Sequence, residues 1–213
     1  FVWLHLFDAH AEYLSHPGAK FGRGASGRYD GEIAFVDAQL AKLVAAVQAS
    51  GRADRTIWLV HGSHGEAFGE HGHKGHGAHL HDEVIRVPLI VAVPGAAPQR
   101  FKQRAVSTLD VAPTVLDYAG AERSNVAGVS LRSAIAGNGL TRAPVVAQAR
   151  RRNVVIDWPI KLITYKRTNG KVRLLLFDLS ADPGETKDLS HDRKADLDRM
   201  IALRDKLTAD DKR

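Results

Sequence analysis

The sequence contains no cysteine. That excludes a disulfide, a thiolate metal site and a cysteine nucleophile within these 213 residues, and it leaves the redox compartment open. No apolar run approaches the about 20 residues needed to cross a bilayer. No secretory leader is visible, but the chain opens at Phe1 inside an apolar run, Phe-Val-Trp-Leu-His-Leu-Phe, and is expected to be a piece of something longer. Internal repeats and low-complexity segments are absent. So is the interleaving of aromatic and basic residues that marks a nucleic-acid stacking platform. The net charge of +6 and pI near 9.7 therefore read as steering toward anionic ligands, with no nucleic acid expected. Arg150-Arg151-Arg152, the tight basic cluster, reads as a solvated strand edge, with a phosphate or sulfate contact as the alternative.

What the sequence does have is histidine and glycine in one place. Seven of the eleven histidines lie between His61 and His81, interspersed with Gly62, Gly65, Gly69, Gly72, Gly75 and Gly77. Glycine lets a backbone turn sharply and approach a ligand closely. Imidazoles can bind metal, donate to anions or transfer protons. The run follows an apolar segment, Thr56 to Val60, read as a buried strand. Loops at the carboxyl end of such strands are where α/β sheets place ligands. The bland alternative is a solvated His-rich loop, since no His-Glu-x-x-His spacing is present.

Along the chain, Val2 to Phe7 reads as a strand buried on both faces. Tyr29 to Ser50 reads as a helix with Ile33, Val36, Leu40, Leu43, Val44 and Val47 on one stripe and Gly51 as its stop. With the strand Thr56 to Val60 this predicts a right-handed parallel crossover. Val84 to Val93 reads as a third buried strand. Val111 to Tyr118 is expected to be a helix closed by Gly120, Gly128 to Ala136 a short helix, and Pro144 to Ala149 a strand. Beyond Arg152 the pattern changes to three strands, Val154 to Trp158, Lys161 to Lys166 and Val172 to Leu179, with Asn169-Gly170 as a hairpin turn. A last helix is expected from a Ser190 cap to about Leu207, with Leu197, Met200, Ile201 and Leu207 inward. The expected organisation is an α/β portion over residues 1–150 and a small antiparallel hairpin region with a helix over 151–213.

Six blocks occur in order: His5-Leu-Phe-Asp-Ala-His10; Arg28-Tyr-Asp-Gly-Glu-Ile-Ala-Phe-Val-Asp37; His64-Gly-Glu66 with Gly69-Glu-His-Gly72; Ile85-Arg-Val-Pro-Leu-Ile90; Asp110-Val-Ala-Pro-Thr-Val-Leu-Asp117; and Leu176-Phe-Asp-Leu-Ser-Ala-Asp-Pro-Gly-Glu185. Together they resemble the C-terminal half of a sulfatase, of the alkaline phosphatase superfamily, over essentially the whole chain. The resemblance implies part of an αβα sandwich of three layers with a small C-terminal antiparallel sheet plus helix. It implies hydrolysis of a sulfate ester at a divalent cation, usually calcium, with magnesium, manganese or zinc as alternatives. It also implies roles for residues. His10 resembles the histidine that contacts substrate or leaving group, and His64 resembles the second of a pair of metal ligands. Lys74 and His76 fall where the family places a cation on the ester oxygens, and His76 is the closer fit. A surface or supporting role is expected for His71, His73, His79 and His81. His5 is open between a core histidine and one lining the site.

Two departures weigh against turnover by this chain alone. The metal-ligand Asp expected before His64 is Ser63, and a neutral hydroxyl is a poor substitute for a carboxylate on a hard cation. The Cys/Ser-x-Pro-x-Arg motif whose first residue becomes formylglycine is not encoded: Ser15-His16-Pro17 begins one, but Ala19 stands where Arg is required. The family's paired N-terminal aspartates are missing too, and Asp210-Asp211 in the tail is no candidate for them. The expectation is a sulfatase piece inactive by itself, whose partners are an anionic ester and the missing N-terminal half of the fold. Open sheet edges would also invite pairing with another copy. Alternatives are a non-catalytic scaffold with a degenerate metal site, a phosphotransferase or phosphodiesterase of the same superfamily, and an unrelated His-rich metal module. The compartment stays open, since such proteins are often exported or membrane-anchored.

Overall fold

The computed structural model of the protein describes residues 1–18, 20–101, 105–140 and 144–210, the side chains of 209 and 210 aside. Ala19 and Asp211 lie outside the described residues. The chain divides into two units, Phe1–Ile57 and Trp58–Arg213.

The first unit is built on one helix, α1 (Ala25–Ala49), which starts four residues before the expected Tyr29. Gly51 ends it with φ +67°, as its sequence predicts. The expected apolar stripe is only partly covered: Val36, Leu40, Val44 and Val47 are half-buried, while Ile33 and Leu43 are exposed. The buried positions are Gly27, Gly31 and Glu32. Glu32 is buried because its carboxylate accepts from the backbone of the preceding loop, Ala9 N at 2.8 Å and Leu14 N at 2.7 Å. A buried carboxylate is tolerable only when donors replace its water. Val2 to Phe7 is not a strand. Phe1, Val2 and Trp3 are 96%, 86% and 79% exposed, and no described strand pairs with the segment. Apolar content alone cannot make a strand whose N–H and C=O groups have no ladder to join.

The second unit begins with β1 (Trp58–His61), β2 (Ala67–Phe68), β3 (Lys74–Gly75), α2 (Asp82–Ile85) and β4 (Leu89–Ala92). β1 pairs antiparallel with β4, from Trp58 opposite Ala92 to His61 opposite Leu89. The expected parallel crossover is therefore absent among the described residues. The single strand expected over Val84 to Val93 is split. Val84 N and Ile85 N donate to His81 O as a helical turn, and the strand starts only after Pro88, which has no N–H to give a ladder. α3 (Val111–Ala119) carries Pro113 in its first turn and ends at Gly120, as expected; α4 (Arg132–Ile135) is shorter than expected. No helix of the described residues is long and apolar enough to cross a membrane.

The main core lies in the last 70 residues. β5 (Val145–Ala149), β6 (Arg152–Asp157), β7 (Ile160–Lys166) and β8 (Val172–Asp178) form an antiparallel sheet in sequence order. The β7–β8 turn has Gly170 at φ +79°, the conformation for which Asn-Gly is selected. Alternate residues fill opposite faces. Val154, Ile156, Ile163, Leu175 and Phe177 pack with Leu80 and Leu179 on one face. Val155, Ile160, Leu162 and Leu176 pack with Leu197 and Met200 of α5 (Lys194–Asp210) on the other. α5 begins four residues after Ser190, whose amide donates to Asp188. Both faces of this sheet are covered, so each fully buried Leu or Met side chain contributes about 1.5–3 kcal/mol. The result is an α/β chain with a small C-terminal antiparallel sheet plus helix. The sheet is the platform on which the histidine loop rests.

Candidate functional site

The histidine loop, residues 62–81, leaves the end of β1 and is sewn back onto α2. Gly65 N donates to Val84 O at 2.7 Å, and a Cβ at Gly65 would sit 2.2 Å from the Glu83 carbonyl oxygen. Only glycine fits that approach. The chain then forms a miniature hairpin, Ala67 opposite Gly75 and Phe68 opposite Lys74. This register places Glu66 beside His76. The Glu66 carboxylate, 8% exposed as a residue, accepts from His76 Nδ1 at 3.2 and 3.3 Å. The His64 ring stacks on the His76 ring, centroids 3.9 Å apart, and His64 Nδ1 lies 2.9 Å from Gly65 O.

A carboxylate on Nδ1 fixes the ring's orientation and holds a proton on Nδ1, so that Nε2 is the nitrogen that takes up or gives a proton. His76 is thus a histidine held for proton transfer or for donation to an anion. Of the four sequence-predicted site residues, the structure brings His64 and His76 together. Lys74, two residues from His76, is exposed on β3. His10 belongs to the first unit, where its ring stacks on Phe7 at 5.0 Å and its Nδ1 lies 2.8 Å from Ala11 O.

A second histidine group on the same loop serves the fold. His71 Nδ1 lies 2.9 Å from Glu83 Oε1, and His71 Nε2 lies 3.1 Å from Glu185 O. His81 stacks on His71 at 3.8 Å. Below them Lys161, fully buried in β7, meets Asp82 Oδ1 and Glu185 Oε1, each at 2.7 Å. The second of these is an ion contact rather than a well-angled hydrogen bond. Glu185 Oε2 also accepts from Asp82 N at 2.5 Å. This triad and Leu80 clamp the loop to the sheet.

The clamp also separates the histidines electrostatically. Burial, with the positive charge of His71 and Lys161, pushes His81 down to about 3. Burial also lowers His79. Burial works to lower His71, but its bonds to Glu83 and to the Glu185 carbonyl outweigh that and raise it. Burial pushes Glu185 up against the pull of Lys161.

His71, His81 and Glu83 offer three donors within 4.8 Å of one another, a spacing a metal ion could bridge. Both His71 nitrogens are already engaged by Glu83 and Glu185, so the arrangement is accounted for as a clamp. Glu66, Glu83, Lys161 and Glu185 were not singled out from the sequence. Glu66 and Glu185 lay inside recognised blocks, and Lys161 stood as a lone charge in an apolar strand.

The family profile "Sulfatase" matches residues 1–121, and the profile "N-sulphoglucosamine sulphohydrolase, C-terminal" matches residues 69–212. The N-acetylglucosamine-6-O-sulfatase of Bacteroides thetaiotaomicron is 28% identical over 176 residues, 76% of this chain and 31% of the relative. The chain spans about a third of the length of the curated relatives it matches. Among solved structures, a putative sulfatase from Bacteroides thetaiotaomicron superposes with a TM-score of 0.76 at 25% identity, covering 88% of this chain and 43% of the other. A structure solved in complex with its substrate D-glucosamine-2-N,6-O-disulfate superposes with a TM-score of 0.73 at 24% identity, covering 89% and 43%.

Proposed function

The chain belongs to the sulfatase family, of the alkaline phosphatase superfamily, and from that premise we propose that it supplies one side of the active site of a sulfuric-ester hydrolase. The observation that carries this reading is His76, oriented by buried Glu66 and stacked on His64. In this reading His76 binds an ester oxygen or protonates the leaving group through Nε2, and Glu66 holds its tautomer. Lys74 adds a cation toward the anion. One relative is named for N-acetylglucosamine 6-O-sulfate, which supports a sulfated amino sugar as the substrate class.

The family is generally metal-dependent, and a divalent cation, calcium first, would neutralise and polarise the ester oxygens. The residues here fit it poorly. His64 offers one nitrogen and Ser63 a hydroxyl, where a hard cation calls for carboxylate oxygen. No step is therefore assigned to a metal held by this chain alone. With no cysteine to become formylglycine and no complete nucleophile motif, these 213 residues by themselves should hydrolyse no sulfate ester. Ser63 also favours a second reading, a sulfatase-like scaffold that binds without catalysis.

Sulfate release from glucosamine 6-sulfate, by a protein that joins this chain to a formylglycine-bearing nucleophile segment, tests the first reading. His76→Ala should cut the rate about 10²-fold or more, and Glu66→Gln by a smaller factor. An unchanged rate in His76→Ala overturns it. No rate in any form, with sulfate still bound, supports the scaffold. The exposed Phe1–Trp3 stretch and the two-stranded β1–β4 sheet, whose outer edges have no partner among the described residues, support self-association. Light scattering that reports a monomer across concentrations would contradict that.

A further inference from the structure

Several cations of the second unit are paired with carboxylates. Arg193 meets Asp178 and Asp196, Arg199 meets Asp157, Lys194 meets Asp198, and Lys161 meets Asp82 and Glu185. At one place cations gather without such partners. At the end of the C-terminal sheet, Arg150, Arg151, Arg152, Lys166, Arg167 and Arg173 line a single cavity of about 570 Å³. No carboxylate lines it, and none of the six makes an ion pair among the described residues.

The sheet register builds this concentration of charge. Arg152 of β6, Tyr165 of β7 and Arg173 of β8 are direct cross-strand neighbours, so two guanidinium groups flank one ring. Arg152 lies over the Tyr165 ring, 5.3 Å from its centroid. Arg151 O accepts from Lys166 N at 2.9 Å, which ties the β5–β6 turn to the β7–β8 hairpin. Like charges held together this way repel one another, and an anion would relieve the repulsion.

We propose that this pocket binds a small ligand carrying two or more sulfate groups, and that it is a subsite for further sulfates of a multiply sulfated oligosaccharide. The proposal rests on the sulfate-ester reading for its choice of anion. The cavity has the volume of a small-molecule site, about 300–1,000 Å³. Its cations come from two separate turns, so one anionic group cannot satisfy them all. Guanidinium groups suit the bidentate geometry of such oxyanions. The site is a poor single-strand nucleic-acid platform, because its one aromatic ring already lies under Arg152.

Calorimetric titration of the chain with a trisulfated heparin disaccharide tests the proposal. Saturable, salt-sensitive binding is expected, weakened at least 10-fold in Arg152→Gln/Arg173→Gln and again in Arg151→Gln/Arg167→Gln. Both variants should keep the wild-type melting temperature or exceed it, which excludes misfolding as the cause. Lys206→Gln, which removes an exposed cation of α5 outside the pocket, should bind the disaccharide as wild type does. Binding that ignores both Arg pairs, or no binding, overturns the proposal. So does tighter, Arg-dependent binding of a single-stranded RNA oligonucleotide or of phosphatidylserine vesicles. If His76→Ala leaves the rate of the joined protein intact while the Arg pairs still govern disaccharide binding by the chain, the hydrolase reading fails and the pocket stands.

Discussion

One loop carries two groups of histidine and glutamate built from the same residue types. In the first, His71, His81 and Glu83 sit over the buried Lys161–Asp82–Glu185 triad. In the second, His76 and His64 sit on a two-rung hairpin above Glu66. Their partners tell them apart. Both nitrogens of His71 are taken up by the fold, and His71 links two chain segments over a hundred residues apart. Glu66 holds the Nδ1 side of His76 from within the hairpin, and that side chain is 29% exposed. A histidine that ties two distant segments together fixes structure, whereas one oriented by a carboxylate of its own hairpin is placed for chemistry.

If that division is right, the clamp carries stability and the hairpin does not. The largest effect is expected at Lys161. Lys161→Ala leaves Asp82 and Glu185 without their cation and should cost about 3–5 kcal/mol in denaturant unfolding. Lys161→Met, which keeps the stem, should lose nearly as much, because the loss lies in the charge.

Acid comes next. His81 has a folded pKa of about 3 against about 6.5 unfolded, so below pH 6.5 the unfolded chain takes the proton first. Its contribution is complete above pH 6.5 and lost as pH falls, about 2 kcal/mol by pH 5. His71 has the opposite sign: its raised pKa contributes below the unfolded value, and that contribution is lost as pH rises through the folded one. Denaturant midpoints should therefore fall between pH 6.5 and 5, and fall less in His81→Gln. An equal fall in the variant would remove His81 from the account.

His71→Ala should cost about 1 kcal/mol, since the ring is partly exposed and its bond to Glu83 is screened. His76→Ala should cost less, about 0.5 kcal/mol or so, while removing the proposed chemistry. Thermal melts of the two variants side by side would reverse the division if the order were the other way.

Much of the fold was legible because local pattern and tertiary structure agree there. The strands from Arg152 to Asp178 are apolar runs, Asn169-Gly170 turns between two of them, and Leu197 and Met200 face inward as their spacing predicts. The failures have one cause, an apolar run read without its partners. Val2 to Phe7 has strand composition but no ladder. Pro88 divides a run that hydropathy alone reads as one strand. The pattern of Tyr29 to Ser50 did not show that Glu32 would be drawn inward by two amides. At the site, His64 and His76 stood out as motif residues, and the structure sets their rings together. Glu66 gave no such signal, because its place beside His76 comes from the pairing of β2 with β3.

The measurement closest to the central claim is a titration of the ¹⁵N-labelled chain with inorganic sulfate, followed by long-range ¹H–¹⁵N NMR of the histidine rings. The account predicts saturable shifts at His76 and His64, abolished at both in His76→Ala, with His71 and His81 unmoved. Shifts at His71 and His81, or at no histidine while the arginines of the C-terminal sheet respond, would contradict it.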